Sequence, residues 1–226
     1  MPKAVIFDVD GTLIDSVDLH AQAWQDAFRD HGHEIGFDSI RGQIGKGGDQ
    51  LMPVFLDPAE LEAIGERLES HRGRILKERY LPRMVAFPGV RELFERVRAD
   101  GTRIVLASSA KADELEQYKR LARIEDLIDA ETSSDDAEKS KPHPDIFQAA
   151  LQRLGDIRPE DAVVVGDTPY DAEAAGKAGL RTVGLLCGGF PERGLREAGC
   201  IAIYKDPADV LARYERSPLA GGGPAP

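Results

Sequence analysis

Ala4-Val5-Ile6-Phe7-Asp8-Val9-Asp10-Gly11-Thr12 reads as a buried strand that ends in two carboxylates. Its opening residues are apolar without alternation, which is typical of a strand covered on both faces in a parallel sheet. Side chains alternate along a strand, so Asp8 and Asp10 share one face at the carboxyl edge, where open α/β sheets bind ligands. A solvated turn at Gly11 explains the stretch about as well as a nucleophile and an acid/base beside a cation. The rest of the chain decides between these interpretations.

The 226 residues carry a formal net charge of −11. This length allows one large domain or two small ones with a substantial hydrophobic core. An acidic balance disfavours nucleic-acid and anionic-membrane partners, which need clustered basic residues. The first strand follows Met1-Pro2-Lys3 directly and no stretch reaches membrane-spanning length, so we predict a cytoplasmic protein. Cys187 and Cys200 fit no metal or redox spacing and are expected to be reduced thiols.

A helical pattern replaces the first strand at once. Apolar residues recur at helical spacing up to His31-Gly32, with Ser16 as the predicted N-cap, and a second helix is predicted from Pro58 to Tyr80. No strand pattern of comparable strength appears before Val85. We therefore predict a helical subdomain, the cap, over residues 16–85.

Helices and strands alternate from Val90 onward, which predicts right-handed crossovers and a parallel sheet. The predicted strands cover residues 103–107, 127–130, 161–165, 180–186 and 201–204. The predicted fold class is thus α/β, with a Rossmann-like parallel-sheet core (residues 1–15 and 86–216) and an inserted α-helical cap subdomain. Residues 217–226 are rich in Gly, Pro and Ala and predict a flexible tail.

Three further polar groups follow predicted core strands, at the edge that holds Asp8 and Asp10. Ser108-Ser109 serves equally well as a helix cap or as a phosphate site. Lys141 reads as a solvated loop lysine, although flanking prolines stiffen its loop and give its ammonium a fixed direction. Asp167 has no role in capping the next helix. A third carboxylate at this edge would be repulsive without a cation, and an all-oxygen cluster suits Mg²⁺.

These residues resemble the four ordered motifs of the haloacid dehalogenase superfamily, and the resemblance spans nearly the whole chain. The residues that carry it are Asp8-Val9-Asp10-Gly11-Thr12, Ser108, Lys141, and Gly166-Asp167 with Asp171. It implies phosphotransfer through an aspartyl-phosphate, with a helical cap of the first type over a Rossmann-like core.

The resemblance also implies a role for each matching residue. Asp8 would be the nucleophile and Asp10 the acid/base, oriented by Thr12. Mg²⁺ would be held by Asp8, the backbone carbonyl of Asp10, and Asp167. The other implied roles are phosphate binding by Ser108, with Ser109 beside it, and by Lys141, and an additional acidic partner in Asp171.

The predicted function is Mg²⁺-dependent hydrolysis of a small phosphorylated metabolite by a phosphoric monoester hydrolase. The glycine-rich cap loop of residues 42–49 offers one cation, Lys46, which reads either as a substrate contact or as a solvated lysine. A β-phosphoglucomutase-like phosphomutase is the main alternative, because Ser16, His20 and Trp24 resemble the start of that cap as well. His20 itself reads as a helix-surface or hinge residue. A catalytically silent phospho-ligand-binding module is the alternative from another class. A monomer is slightly favoured.

Overall fold

The strands described here lie within residues 1–221, the part of the chain covered by the structure, a computed structural model. In chain order they are β1 (Ala4–Phe7), β2 (Ile14–Asp15), β3 (Val85–Ala86), β4 (Arg103–Ala107), β5 (Ala130–Thr132), β6 (Ala162–Gly166), β7 (Arg181–Leu185) and β8 (Cys200–Tyr204). The main sheet has the order β5-β4-β1-β6-β7-β8, and every neighbouring pair in it is parallel. The predicted α/β fold is therefore confirmed.

The α-helices of the same residues are α1 (Val17–Asp30), α2 (Phe37–Arg41), α3 (Gly48–Leu51), α4 (Pro58–Ile75), α5 (Val90–Ala99), α6 (Ala112–Ala122), α7 (Asp145–Leu154), α8 (Pro169–Lys177), α9 (Glu192–Glu197) and α10 (Pro207–Ala212). None of these helices is both long and apolar enough to span a membrane.

β1 lies in the middle of the main sheet and serves two cores. Ala4 and Ile6 belong to one buried apolar cluster, whereas Val5 and Phe7 belong to another. Because both faces of the strand are covered, its sequence is apolar without alternation. β1 pairs with β4 on one side and with β6 on the other. The carboxyl end of β1 therefore opens between the ends of two neighbouring strands.

The helical segment from α1 to α4 contributes no strand to the main sheet. It leaves and re-enters the sheet domain through β2 and β3, which pair antiparallel, with Ile14 opposite Ala86 and Asp15 opposite Val85. This pairing was not predicted, because two residues per strand leave no readable periodicity. α4 begins where predicted, at a capping box in which Asp57 and Glu60 cap each other's backbone N–H groups. That this segment moves as a separate cap stays a prediction.

Two local predictions are wrong. The strand expected at residues 127–130 instead covers Ala130–Thr132. It lies at the edge of the sheet and carries Glu131, whose carboxylate pairs with Lys119 at 2.7 Å, so it lacks the continuous apolar run by which a buried strand is predicted. The expected tail is not free over residues 217–221, since Pro218–Ala220 form a 3-10 turn and Leu219 is fully buried. The remainder of the predicted tail, residues 222–226, lies outside the described residues.

Candidate active site

The ends of β1 and β6 bring Asp8 and Asp167 together. The Asp8 backbone N–H donates to the carbonyl of Val165 at 2.9 Å, which extends the pairing of β1 with β6 by one residue. The Thr12 hydroxyl lies 3.1 Å from Asp8 Oδ2 and 3.0 Å from Asp167 Oδ1, so it bridges these two carboxylates. The expectation that Thr12 orients Asp10 is therefore wrong: Thr12 folds back under the turn at Gly11 and reaches Asp8 instead.

Lys141 lies beneath the same carboxylates and is almost fully buried. Its Nζ lies 2.5 Å from Asp8 Oδ1 and 2.8 Å from Asp171 Oδ1, and it donates to the carbonyl of Ala107 at 3.2 Å. Burial would lower the pKa of Lys141, but the charges of Asp171 and Asp8 outweigh that effect and raise this pKa. The lysine therefore stays an ammonium at the end of β1.

Asp171 combines two functions at the start of α8. Its Oδ2 accepts hydrogen bonds from the backbone N–H of Thr168 at 3.0 Å and from the Thr168 hydroxyl at 2.7 Å, which completes a capping box. Its Oδ1 faces Lys141. Helix capping thus holds the carboxylate that directs the buried lysine toward Asp8.

The carboxylates of Asp8, Asp167 and Asp171 form an acidic cluster, with one oxygen of each within 4.8 Å of the others. Burial raises the pKa of Asp8 to about 7, and burial together with the charges of Asp8 and Asp171 holds the pKa of Asp167 well above its usual range. Both pKa values are raised because ionising these carboxylates places like charges close together and away from water, which is unfavourable in free energy. A bound cation would remove that cost.

The donor set of this cluster fits Mg²⁺. Asp167 Oδ2 is a buried carboxylate oxygen with no hydrogen-bond partner among residues 1–221, as a metal ligand would be before metal is added. Carboxylate oxygens are the ligands that Mg²⁺ prefers. The Asp10 side chain is not part of the cluster. A contribution from its backbone carbonyl stays a prediction.

Gly188 closes over the acidic cluster from the loop after β7. A Cβ placed on this buried glycine would lie 1.6 Å from Asp167 Oδ2, and one placed on Gly11 would lie 2.4 Å from the same atom. The backbone therefore approaches Asp167 more closely than any side chain allows. Gly188 was not predicted as a site residue, because no local sequence pattern indicates that it lies next to Asp167.

Changing Gly188 to alanine is expected to displace the Asp167 carboxylate and to weaken Mg²⁺ binding by roughly 10- to 100-fold, the range for lost support of a metal ligand. The measurement is the rise in unfolding temperature as Mg²⁺ is added, since a ligand that binds only the folded state stabilises it. Gly176→Ala in α8 is the matched control, because nothing lies within 4 Å of a Cβ placed there. Equal Mg²⁺ titrations for the two variants would contradict the role given to Gly188.

Asp10 belongs to a separate hydrogen-bond network on the cavity side. Its Oδ1 accepts a hydrogen bond from the Ser16 hydroxyl at 2.7 Å and lies 2.7 Å from His20 Nε2. Arg72 Nη2 lies 2.6 Å from His20 Nδ1. Arginine only donates, so Nδ1 accepts, and Nε2 carries the proton that it donates to Asp10. Ser16 and His20, rather than Thr12, orient Asp10.

The same network sets the pKa of Asp10. Burial would raise the pKa of Asp10, but the hydrogen bonds from His20 and from the Ser16 hydroxyl, together with the positive charge of Arg72, outweigh burial and lower it. His20 is buried, not a surface residue as the sequence suggested. Its spacing from Ser16 and Trp24, one helical turn in each direction, was the available signal. The link to Asp10 required the tertiary structure.

A cavity of about 250 Å³ opens onto Asp8 and Asp10. Ser109 and Lys46 line it. Ser108 is fully buried, and its hydroxyl accepts a hydrogen bond from the Ala110 backbone N–H at 3.0 Å. Lys46 Nζ donates to Gln43 Oε1 at 2.6 Å and lies 4.7 Å from the ring centroid of Tyr170.

Comparison with known proteins agrees with this architecture. A model of the haloacid dehalogenase-like hydrolase family matches residues 2–179. The chain is 31% identical over 214 residues to a phosphorylated carbohydrates phosphatase of Thermotoga maritima, covering 92% of this chain and 96% of that protein. It is also 31% identical over 223 residues to a phosphoglycolate phosphatase of Nitrosospira multiformis, covering 96% and 95%.

A solved hydrolase from Pseudomonas syringae superposes with a TM-score of 0.88 at 28% identity, covering 95% of this chain and 98% of that one. The chain therefore belongs to the haloacid dehalogenase-like hydrolases. Within that family several of its relatives carry phosphatase names, and the chain is a phosphoric monoester hydrolase.

Proposed function

We propose that the protein hydrolyses a small phosphomonoester through a covalent phosphate on Asp8, with Mg²⁺ bound at the acidic cluster. The observation that carries the proposal is the cluster itself, three buried carboxylates within 4.8 Å of one another beside a buried ammonium. Bound there, Mg²⁺ would offset the carboxylate charge and draw electron density from the phosphoryl oxygens.

Asp8 is the proposed nucleophile. One of its oxygens forms a bond to phosphorus in line with the breaking bond to the leaving oxygen. Lys141 lies 2.5 Å from Asp8, where its charge also meets the oxygens of a transferring phosphoryl group. Ser109 follows β4 at the same edge and lines the cavity, so its N–H group can add to the positive surroundings, whereas the Ser108 N–H donates to the carbonyl of Thr132 at 3.1 Å.

Asp10 is the proposed acid/base. Because the pKa of Asp10 is lowered here, its carboxylate first has to take up a proton; it gives that proton to the leaving oxygen in the first half of the reaction and accepts one from the water that cleaves the acyl-phosphate in the second. Ser16 and His20 both bind Oδ1, so Oδ2 is the oxygen proposed to meet the leaving group. One carboxylate cannot serve as both nucleophile and acid/base, so two are needed.

The helical segment is closed over this site. Arg41 Nη2 donates to the carbonyl of Gly188 at 3.0 Å, the Tyr170 hydroxyl donates to the carbonyl of Gly42 at 2.6 Å, and the Ser140 backbone N–H donates to Asp49 Oδ2 at 3.1 Å. These contacts break if the segment rotates about β2 and β3. The proposed cycle opens them to admit substrate and restores them to exclude water.

A phosphatase is favoured over a phosphomutase by the sequence from Gly166 to Asp171, which has the phosphatase form, and by the phosphatase names of the relatives. A silent phospho-ligand-binding module would not need Asp8, Asp10 and Lys141 together. Cytoplasmic location and a monomeric state stay predictions, as does a contact between Lys46 and substrate.

The direct test is phosphate release from a panel of small phosphate esters, with Mg²⁺ and with excess chelator. We expect turnover with Mg²⁺ and its loss in chelator, restored when Mg²⁺ is added back in excess. Undiminished turnover in chelator would contradict metal dependence. Absence of turnover on every ester under both conditions would favour the silent module.

A further inference from the structure

Arg41, at the end of α2, reaches from the helical segment to the loop after β7. Its Nη2 donates to the carbonyl of Gly188 at 3.0 Å, and its Nε donates to Asp18 Oδ1 at 2.7 Å. Gly189, with a φ of +84°, leaves no room for a Cβ between its backbone and this guanidinium. Arg41 therefore joins α1 of the helical segment to a loop of the sheet domain.

The loop that this arginine holds is the one that covers Asp167. Gly188 packs so closely on the carboxylate that a Cβ there would overlap Asp167 Oδ2, the oxygen without a hydrogen-bond partner among residues 1–221. The Gly189 backbone N–H donates to the carbonyl of Leu186 at 2.9 Å, which closes a tight turn. A shift of the Gly188 carbonyl therefore moves the backbone that contacts Asp167.

The charge of Arg41 and its hydrogen bond act on a bound cation in opposite directions. The guanidinium lies beside Gly188, and by Coulomb's law a positive charge near the acidic cluster opposes Mg²⁺ binding. Asp18 offsets little of that charge, because its side chain is 61% exposed and is screened by water. The hydrogen bond favours the ion, since a metal ligand that is already held in place binds more tightly. The sign of the net effect can therefore be measured.

We propose that Arg41 is a positioning residue for the Mg²⁺ site: with the helical segment closed, its hydrogen bond holds Gly188 against Asp167, so that closure and Mg²⁺ binding favour each other. The inference rests on the metal site of the function proposed above. Coupling of this kind is reciprocal, so bound Mg²⁺ also makes opening of the segment rarer. The described residues that line the cavity do not include Arg41, and it is not a catalytic residue.

The first test measures Mg²⁺ affinity by calorimetric titration of the metal alone into Arg41→Ala and into the parent. We expect the affinity to fall about 10-fold or more, within the 10- to 100-fold range for lost support of a metal ligand. Arg67→Ala is the matched control: it removes the same charge from the helical segment, and Arg67 donates to the carbonyl of Ala63 on its own helix. The control should bind Mg²⁺ within about 2-fold of the parent, as expected for a surface substitution.

Arg41→Lys separates the charge from the hydrogen bond. Lysine keeps the positive charge but lacks the planar fork that reaches Asp18 and Gly188 together. We expect this variant to lose Mg²⁺ affinity as well. The unfolding temperature without Mg²⁺ shows whether each variant is folded, and Arg41→Lys provides the comparison if Arg41→Ala does not fold.

Amide hydrogen exchange supplies the reciprocal readout. The Gly47 N–H of the helical segment donates to the Ser140 hydroxyl at 2.9 Å, a contact with the sheet domain that does not involve Arg41. In the parent, Mg²⁺ should slow exchange of the Gly47 N–H, because bound metal lowers the population of the open arrangement. In Arg41→Ala the same addition of Mg²⁺ should slow this exchange much less.

Equal or tighter Mg²⁺ binding by the folded Arg41 variants would overturn the positioning role, and tighter binding would show that the charge of Arg41 is its main effect. An equal slowing of Gly47 exchange by Mg²⁺ in parent and Arg41→Ala would also overturn it. A parent that binds no Mg²⁺ would overturn the proposed metal site itself, a result distinct from normal Mg²⁺ binding in every variant.

Discussion

Asp8→Asn is expected to lower the rate of phosphate release at least ~10³-fold, which corresponds to about 4 kcal/mol of activation free energy. The asparagine amide keeps the shape of the side chain but is a poor nucleophile for phosphorus. The variant should still fold, because Lys141 keeps a second carboxylate partner in Asp171 at 2.8 Å. Loss of activity would then report the missing nucleophile rather than a missing structure.

Two measurements separate these causes. Thermal unfolding should show a folded Asp8→Asn protein, and intact mass after acid quenching should show no phosphate adduct during turnover. Asp15→Asn is the matched control, because Asp15 is an exposed residue of β2 close to the same motif. Full turnover by the Asp8 variant would rule out the aspartyl-phosphate mechanism.

Asp10→Asn is expected to slow hydrolysis of the acyl-phosphate by ~10²–10⁴, the range for a positioned acid/base. The asparagine oxygen can still accept from Ser16 and His20, so the network around it should persist. Attack on esters with good leaving groups, which need little protonation, should survive in part. The phosphoenzyme should therefore accumulate.

Acid-quenched intact mass should reveal that accumulation during turnover of an aryl phosphate. Alkyl phosphates, whose leaving oxygen needs the proton, should be affected more than aryl phosphates. If the variant turns over both kinds of ester at the parent rate, Asp10 is only a turn residue, and the network with His20 has a structural purpose.

Local patterns in the chain predicted most of the sheet and its order of helices and strands. β1, β4 and β6 lie within one residue of their predicted bounds, because a strand buried on both faces is a continuous apolar run that needs no partner to be read. The bounds of β5 were predicted wrongly, because an edge strand with an ion-paired glutamate lacks that continuous apolar run. The short β2 and β3 carry no periodicity at all.

For the site, the sequence predicted which residues take part, but it did not predict several of their contacts. Motif order placed Asp8, Lys141 and Asp167 at one edge, and the structure brings them together there. Thr12 and His20 were given the wrong surroundings. A hydroxyl four residues from one aspartate and two from another reaches either one, depending on how the turn at Gly11 folds.

The sequence alone indicated the class of chemistry. Two carboxylates follow a buried strand, and a lysine and another aspartate follow them in a set order. This pattern can be recognised without a structure. Only the tertiary structure decided which polar groups of the site have hydrogen-bond partners and which have none. Asp167 Oδ2 has no hydrogen-bond partner within residues 1–221, and Gly188 approaches Asp167 from a distant loop. The physical reason is that hydrogen bonding and close packing depend on neighbours contributed by remote parts of the chain, about which local patterns carry no information.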